Sequence, residues 1–241
     1  GGIFMASAQI GKVAAMNIFS RIRRIPFWSW FWFILGALYF ILPLYATVNF
    51  SLRMERGVIG FKAYAKAFED PEFIRTFLYS NMLALTTIIV SIILIVPTAY
   101  WIRLRLPEAR RIVEFITLMP FVVPAIILVF GLIRIYSSPI NIPFTDTTLL
   151  QPLTTFEVGT DILIVAGYVV LGLPYMYRSV DTGMRTVDVR TLTEAAQSLG
   201  ASWFTIIVRV ILPNIRAALL SGALLTFAIV VGEVTLASFL G

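Results

Sequence analysis

The groups that could do chemistry in this chain are few, and what is missing narrows the field as much as what is present. There is no cysteine and no histidine, which removes disulfides, thiolate nucleophiles, the usual zinc ligands and imidazole acid–base chemistry together. A phosphate-cradling loop needs a glycine, four residues, then Gly-Lys-Ser/Thr. Gly11-Lys12 lacks both the upstream glycine and the following hydroxyl. Glu233, beside Gly232 in an apolar run, is the sharpest remaining candidate, because a carboxylate in hydrocarbon is costly enough to suggest function by default. With a cationic solute it could attract or coordinate the ligand along a pathway. The structural alternative is a carboxylate paired with a neighbouring segment or lying near headgroups, and both readings stand at this point. Tyr168 and Tyr175 could line the same path, although aromatic residues in such runs mostly pack or sit at interfaces. An intramembrane enzyme needs a nucleophile with its base, paired aspartates or metal ligands. None is evident, so no catalytic residue, metal site or bound cofactor is expected.

A second constellation lies in residues 191–213. Thr191-Leu192-Thr193-Glu194 has the capping-box spacing, in which a threonine accepts from the backbone three residues on and the glutamate reaches back. Gly200 suits the left-handed position just past a helix end. Ser202 can cap a second helix over 203–212, with Pro213 following it. The first helix is about two turns long, too short to be stable alone in water, and Ala195 and Ala196 are small enough for a partner to approach closely. A helix–glycine–helix elbow of this kind reads as a docking element.

The elements that must position these groups are membrane spans. The chain of 241 residues is 59% hydrophobic and 13% charged, with mean hydropathy +0.90; soluble domains hold about 25% charged residues. About 20 apolar residues cross a bilayer as a helix, and five blocks qualify or nearly do: 27–50, 82–102, 112–136, 162–177 and 217–240. The first opens with an interfacial cluster of Trp28, Trp30 and Trp32. Pro120 and Pro124 kink the third block and Pro43 falls late in the first, while Pro174 is expected to turn the fourth into the loop 178–216. The net charge of +6 sits between apolar blocks instead of forming one stripe, which argues against nucleic acid. Arg103, Arg105, Arg110, Arg111, Arg178, Arg185, Arg190, Arg209 and Arg216 fall in connections that share one side with the segment 1–26. By the positive-inside rule that side is the cytoplasm, and Asp161 is placed to cap the fourth span at its opposite end.

Glu194-Ala195-Ala196, three residues, Gly200, nine residues, then Val210-Ile211-Leu212-Pro213 resembles the EAA signature of ABC-importer permeases, with Val210 in place of the usual isoleucine. Stretches 61–77, 96–105, 119–136, 167–181 and 221–240 are similar to the spermidine/putrescine-type branch. The resemblance implies an all-α polytopic membrane protein of the type I importer fold, with five spans here and a sixth beyond them. It implies a cytoplasmic segment 1–26 and a permease domain 27–241 in a bacterial inner membrane. It assigns Glu194, Ala195, Ala196, Gly200, Ser202, Leu212 and Pro213 to contact with a separate ATPase dimer that binds ATP and magnesium. It further implies a second permease subunit, a heterodimer in this branch, and an extracytoplasmic binding protein. Ferric iron, thiamine, phosphonates and other small solutes are imported by related permeases. An ATP-independent carrier is the competing class, but its repeated halves and several buried ionisable groups are not found.

Overall fold

The computed structural model describes residues 27–53, 59–138, 140–141, 148–150 and 152–240; the expected cytoplasmic segment 1–26 lies outside the described residues. The chain divides into two compact units, one up to Ile74 and one from Arg75 onward. In the first, α1 (Phe27–Ser51) is a single helix that runs through Pro43, so the proline does not end it. Short α2 (Lys62–Glu69) is tied to the end of α1 by the Tyr64 hydroxyl, 2.8 Å from Ser51 Oγ. Asp70 then accepts from the Glu72 N–H at 2.9 Å at the start of α3 (Pro71–Arg105).

The second unit holds most of α3 together with α4 (Arg110–Leu118), α5 (Ala125–Tyr136), α6 (Glu157–Arg185), α7 (Val189–Ser198), α8 (Trp203–Asn214), α9 (Arg216–Gly232) and α10 (Thr235–Leu240). A short antiparallel ladder pairs Ile140–Asn141 with Thr148–Leu150. The architecture is that of an all-α polytopic membrane protein. Three helices (α1, α3 and α6) are long and apolar enough to cross a bilayer, and there are up to five crossings if each of two bent pairs counts as one.

One of those bent pairs, and a separate break in the last block, correct two expected spans. The block 112–136 is not a kinked helix: the segment Pro107–Phe121 meets α5 at 99°. Pro120 is the middle residue of a 3-10 turn, Met119–Phe121, and Pro124 adopts an extended backbone (φ −58°, ψ 141°) as the N-cap of α5. Two prolines four apart remove two backbone donors and bias the preceding residues away from the helix. The block 217–240 is also interrupted, because Glu233 leaves the helix with ψ 116° and α10 starts afresh. Pro174, by contrast, does not turn the chain. It is buried within α6, which continues to Arg185.

Close approach holds α6 against α9 and α10. A Cβ on Gly183 would lie 2.5 Å from Ala218 Cβ, one on Gly172 2.8 Å from Thr226, and one on Gly167 2.2 Å from Leu236. Apolar side chains gain nothing by leaving lipid for protein, so small residues that let backbones pack closely carry such interfaces. Two cores result. One, near the loops, gathers Val96, Tyr100, Met176, Val180, Met184, Val189, Ile206 and Ile211. The other gathers Ala84, Val129, Ile164, Tyr168, Val230 and Leu236.

Candidate functional site

The elbow predicted at 191–213 is present, with its first cap shifted. α7 begins at Val189, and its N-cap is Asp188, whose carboxylate accepts from the Thr191 N–H at 3.2 Å and the Thr191 hydroxyl at 2.7 Å. Aspartate outranks threonine as an N-cap, so the helix starts three residues before the expected capping box. Glu194 does not reach back to the backbone; it pairs with Arg190 Nε at 2.9 Å on the exposed face. The hydrogen bond from the Thr191 hydroxyl, helped by its N–H, holds Asp188 below the usual carboxylate range.

The far end closes as a Schellman motif. The Ala201 N–H reaches the Ala196 carbonyl at 3.0 Å, the Gly200 N–H reaches Gln197 at 2.9 Å, and Gly200 takes φ +79°. Only glycine adopts that conformation without penalty. Ser202 caps α8, accepting from the Thr205 N–H at 3.3 Å. Within α8, residues Ile206–Ile211 form π-helical turns, and Pro213 lies inside the last short α segment, Leu212–Asn214, instead of beyond the helix. Pro213 has no N–H to give Arg209 and its ring crowds that carbonyl; the wider ladder, with the Leu212 N–H bonded to Ile207, moves it aside.

The elbow has two faces. Inward, Val189, Thr193, Ile206, Ile207 and Ile211 are buried. Thr193 Oγ1 donates to the Val189 carbonyl at 2.7 Å, so the Tyr100 hydroxyl, 3.2 Å away on α3, donates to Thr193. Outward, Glu194, Ala195, Gly200 and Ser202 are exposed, whereas Ala196 and Leu212, of the same predicted set, are partly covered and pack against the core. Leu199 is 89% exposed, with Trp203 and Phe204 also exposed beside it. Three large apolar side chains on a loop-borne surface form a patch that excludes water only when something covers it.

Next to the elbow lies an ion-pair cluster that spacing alone does not reveal. Asp181 on α6 is 2.9 Å from Arg110 Nη2, 2.8 Å from Arg185 Nη2 and 3.9 Å from Arg103 Nη1. Glu114 joins Arg110 at 3.0 Å and Arg185 at 3.3 Å. The cluster ties α3, α4 and α6 together just before α7 begins, beside a cleft of about 450 Å³ lined by Glu114, Tyr177, Arg178 and Asp181. Its arginines are legible in the sequence as basic residues flanking the apolar blocks; their convergence on Asp181 is not.

The pathway candidates separate. Tyr168 and Glu233 come together, the tyrosine hydroxyl 3.4 Å from the Glu233 carbonyl. The Glu233 carboxylate accepts from the N–H groups of Thr235 at 2.9 Å and Leu236 at 2.7 Å, so it opens α10. Tyr175 instead stacks edge-on to Phe121 at 5.3 Å, in a cleft with Pro174 and Arg178. Asp161 does not cap the fourth span, which begins at Glu157; it accepts from the Tyr79 hydroxyl on α3.

Residues 108–241 match the family described as binding-protein-dependent transport system inner membrane component. The spermidine/putrescine transport system permease protein PotB of Haemophilus influenzae is 27% identical over 235 residues, covering 93% of this chain and 79% of that protein. PotB of Escherichia coli is 24% identical over 189 residues, covering 71% of this chain and 62% of that protein. The methionine import system permease protein MetP of Bacillus subtilis is 34% identical over 105 residues, 42% of this chain and 47% of that protein.

Proposed function

Because the chain belongs to the family of binding-protein-dependent transport system inner membrane components, the membrane permease subunits of ABC importers, we propose that its α7–α8 elbow docks on a separate ATPase and that it passes a polyamine. The observation that carries the docking reading is the exposed patch of Leu199, Trp203 and Phe204 beside Glu194, Ala195 and Gly200, on an elbow whose other face is anchored in the core. The partner is an ATPase dimer that binds ATP and magnesium. Movement at the elbow passes to α3 through Tyr100–Thr193 and to α6 through the chain connection Arg185–Val189. Ser202, Leu212 and Pro213 keep the second helix in register for that contact.

The elbow is assigned to the cytoplasm together with the segment 1–26. The positive-inside rule supports this, as does the convergence of Arg103, Arg110 and Arg185 at one end of α6. The rest of the pathway, and therefore the permease domain 27–241, is completed by a second permease subunit in a heterodimer and is fed by an extracytoplasmic binding protein. The polyamine reading rests on the PotB likeness. It is compatible with Glu233 and Tyr168 meeting at a helix break, since unwound carbonyls and helix C-termini suit cations in transporters.

Leu199→Asp tests the docking. It is expected to abolish co-purification of the ATPase and coupled uptake in proteoliposomes while the permease still folds. Normal ATPase capture by this variant would sink the reading. Glu233→Gln tests the pathway, and unchanged spermidine transport and preference would remove Glu233 and Tyr168 from it.

A further inference from the structure

α4 is amphipathic the wrong way round for a helix on a water-facing surface. Arg110, Val113, Glu114 and Thr117 share the face turned to the protein: Thr117 is buried, Val113 packs on the core, and Arg110 and Glu114 enter the ion-pair cluster. The opposite face is Ile112, Phe115, Ile116 and Met119, at the i, i+3, i+4, i+7 spacing of a single stripe. All four are exposed, Phe115 at 68%. The sorting of charge is equally one-sided. Arg105 and Arg111 are exposed and form no ion pair among the described residues, whereas Glu114 and Asp181 are turned inward. Trp101 lies under the Arg105 guanidinium, 5.8 Å from ring centroid to carbon, and is itself exposed. Glu108, also exposed, pairs with neither arginine.

The depth of this surface can be read along α6. From Glu157 to Arg185 the helix rises about 42 Å at 1.5 Å per residue, against a hydrocarbon core of about 30 Å. Asp181 and Arg185 therefore sit at the headgroup end. They hold α4 there through Arg110 and Glu114, and the α4 segment runs at 99° to α5, nearly perpendicular to it. An apolar edge in the plane of the interface, flanked by two exposed arginines and a tryptophan, matches an interfacial helix over anionic lipid.

We propose that α4 lies in the inner-leaflet interface, with Ile112, Phe115, Ile116 and Met119 in the headgroup–acyl boundary and Arg105 and Arg111 binding the phosphate of an anionic phospholipid. This rests on the cytoplasmic assignment above. The test uses the full chain with its partner subunits in discs of phosphatidylethanolamine mixed with phosphatidylglycerol. After detergent washing, retained lipid should be enriched in phosphatidylglycerol, and Arg105→Gln with Arg111→Gln should reduce that enrichment roughly thirtyfold, the scale expected for two cations at an anionic surface. Equal enrichment in both proteins overturns the proposal. Because the chain has no cysteine, Phe115→Cys gives a single labelling site. A nitroxide there should relax more with dissolved oxygen than with a water-soluble nickel chelate. The reverse ranking, or crosslinking from that position to a second permease subunit, refutes the lipid assignment. Ser198→Cys tests the orientation separately. Its reaction with an impermeant maleimide in right-side-out vesicles would overturn the cytoplasmic assignment while the lipid-selectivity arm still reports on α4.

Discussion

Replacing Asp181 by asparagine removes the acidic centre on which three arginines converge. The side chain is 15% exposed and accepts directly from Arg110 Nη2 and from Arg185 Nε, each at 2.9 Å. A hydrogen bond to a charged group contributes about 1.5–3 kcal/mol, so two would total roughly 3–6 kcal/mol at most. Arg185 is 53% exposed, which places its share at the low end through solvent screening, and asparagine keeps one neutral acceptor. A net loss of about 2–3 kcal/mol follows. For a chain of this size that is a fall in Tm of roughly 4–12 °C, measurable by circular dichroism in detergent. The loss is specific to the pairs, so the decisive assay is a double-mutant cycle with Arg110→Gln. The two changes should couple by about 1 kcal/mol or more. Additivity within about 0.5 kcal/mol would show that Asp181 and Arg110 are neighbours without being partners.

Three further outcomes follow from the geometry. Gly200→Ala should cost about 1–2 kcal/mol, the penalty of a left-handed residue with a Cβ, and should lower coupled uptake through the altered elbow, checked by thermal unfolding and transport together. Gly183→Leu should destabilise by more than an ordinary overpacking cost of about 1–3 kcal/mol, because even a Cβ there would meet Ala218 Cβ at 2.5 Å; a wild-type melting profile would refute the close packing of α6 on α9. Asp188, whose carboxyl is held below its ordinary range, contributes stability to α7 that is fully present above the unfolded pKa of about 3.9. That contribution is lost as pH falls through the lower folded value, so hydrogen exchange at the Thr191 amide should accelerate in strong acid, with Asp188→Asn abolishing the pH step.

The elbow was largely legible because its signals are local. Gly200 and Ser202 act through bonds spanning five residues or fewer, and both occupy the predicted positions. The first cap lies one turn earlier for an equally local reason: Asp188 and Thr191 are alternative N-caps for the same helix, and the better acceptor starts it, bonding the Thr191 N–H. Hydrophobic blocks locate apolar segments but carry no information about axis direction, which is why the 99° turn at Pro124 and the break at Glu233 read as kinked or continuous spans. Residues joined only by tertiary packing gave no signal at all. Tyr100 is 93 positions from Thr193, and Asp181 lies 71 from Arg110.

The uninterrupted course of α6 through Pro174 has a geometric consequence. A rod of 29 residues is about 43 Å long, with Glu157 at one tip and the ion-pair cluster at the other. A tilt of about 10° pivoting on the cluster would sweep the Glu157 tip sideways by roughly 7 Å, wider than the gap between two packed side chains. An unbroken helix thus gives leverage: small angular play near the elbow would become a large displacement of the opposite tip, with no hinge in between to absorb it.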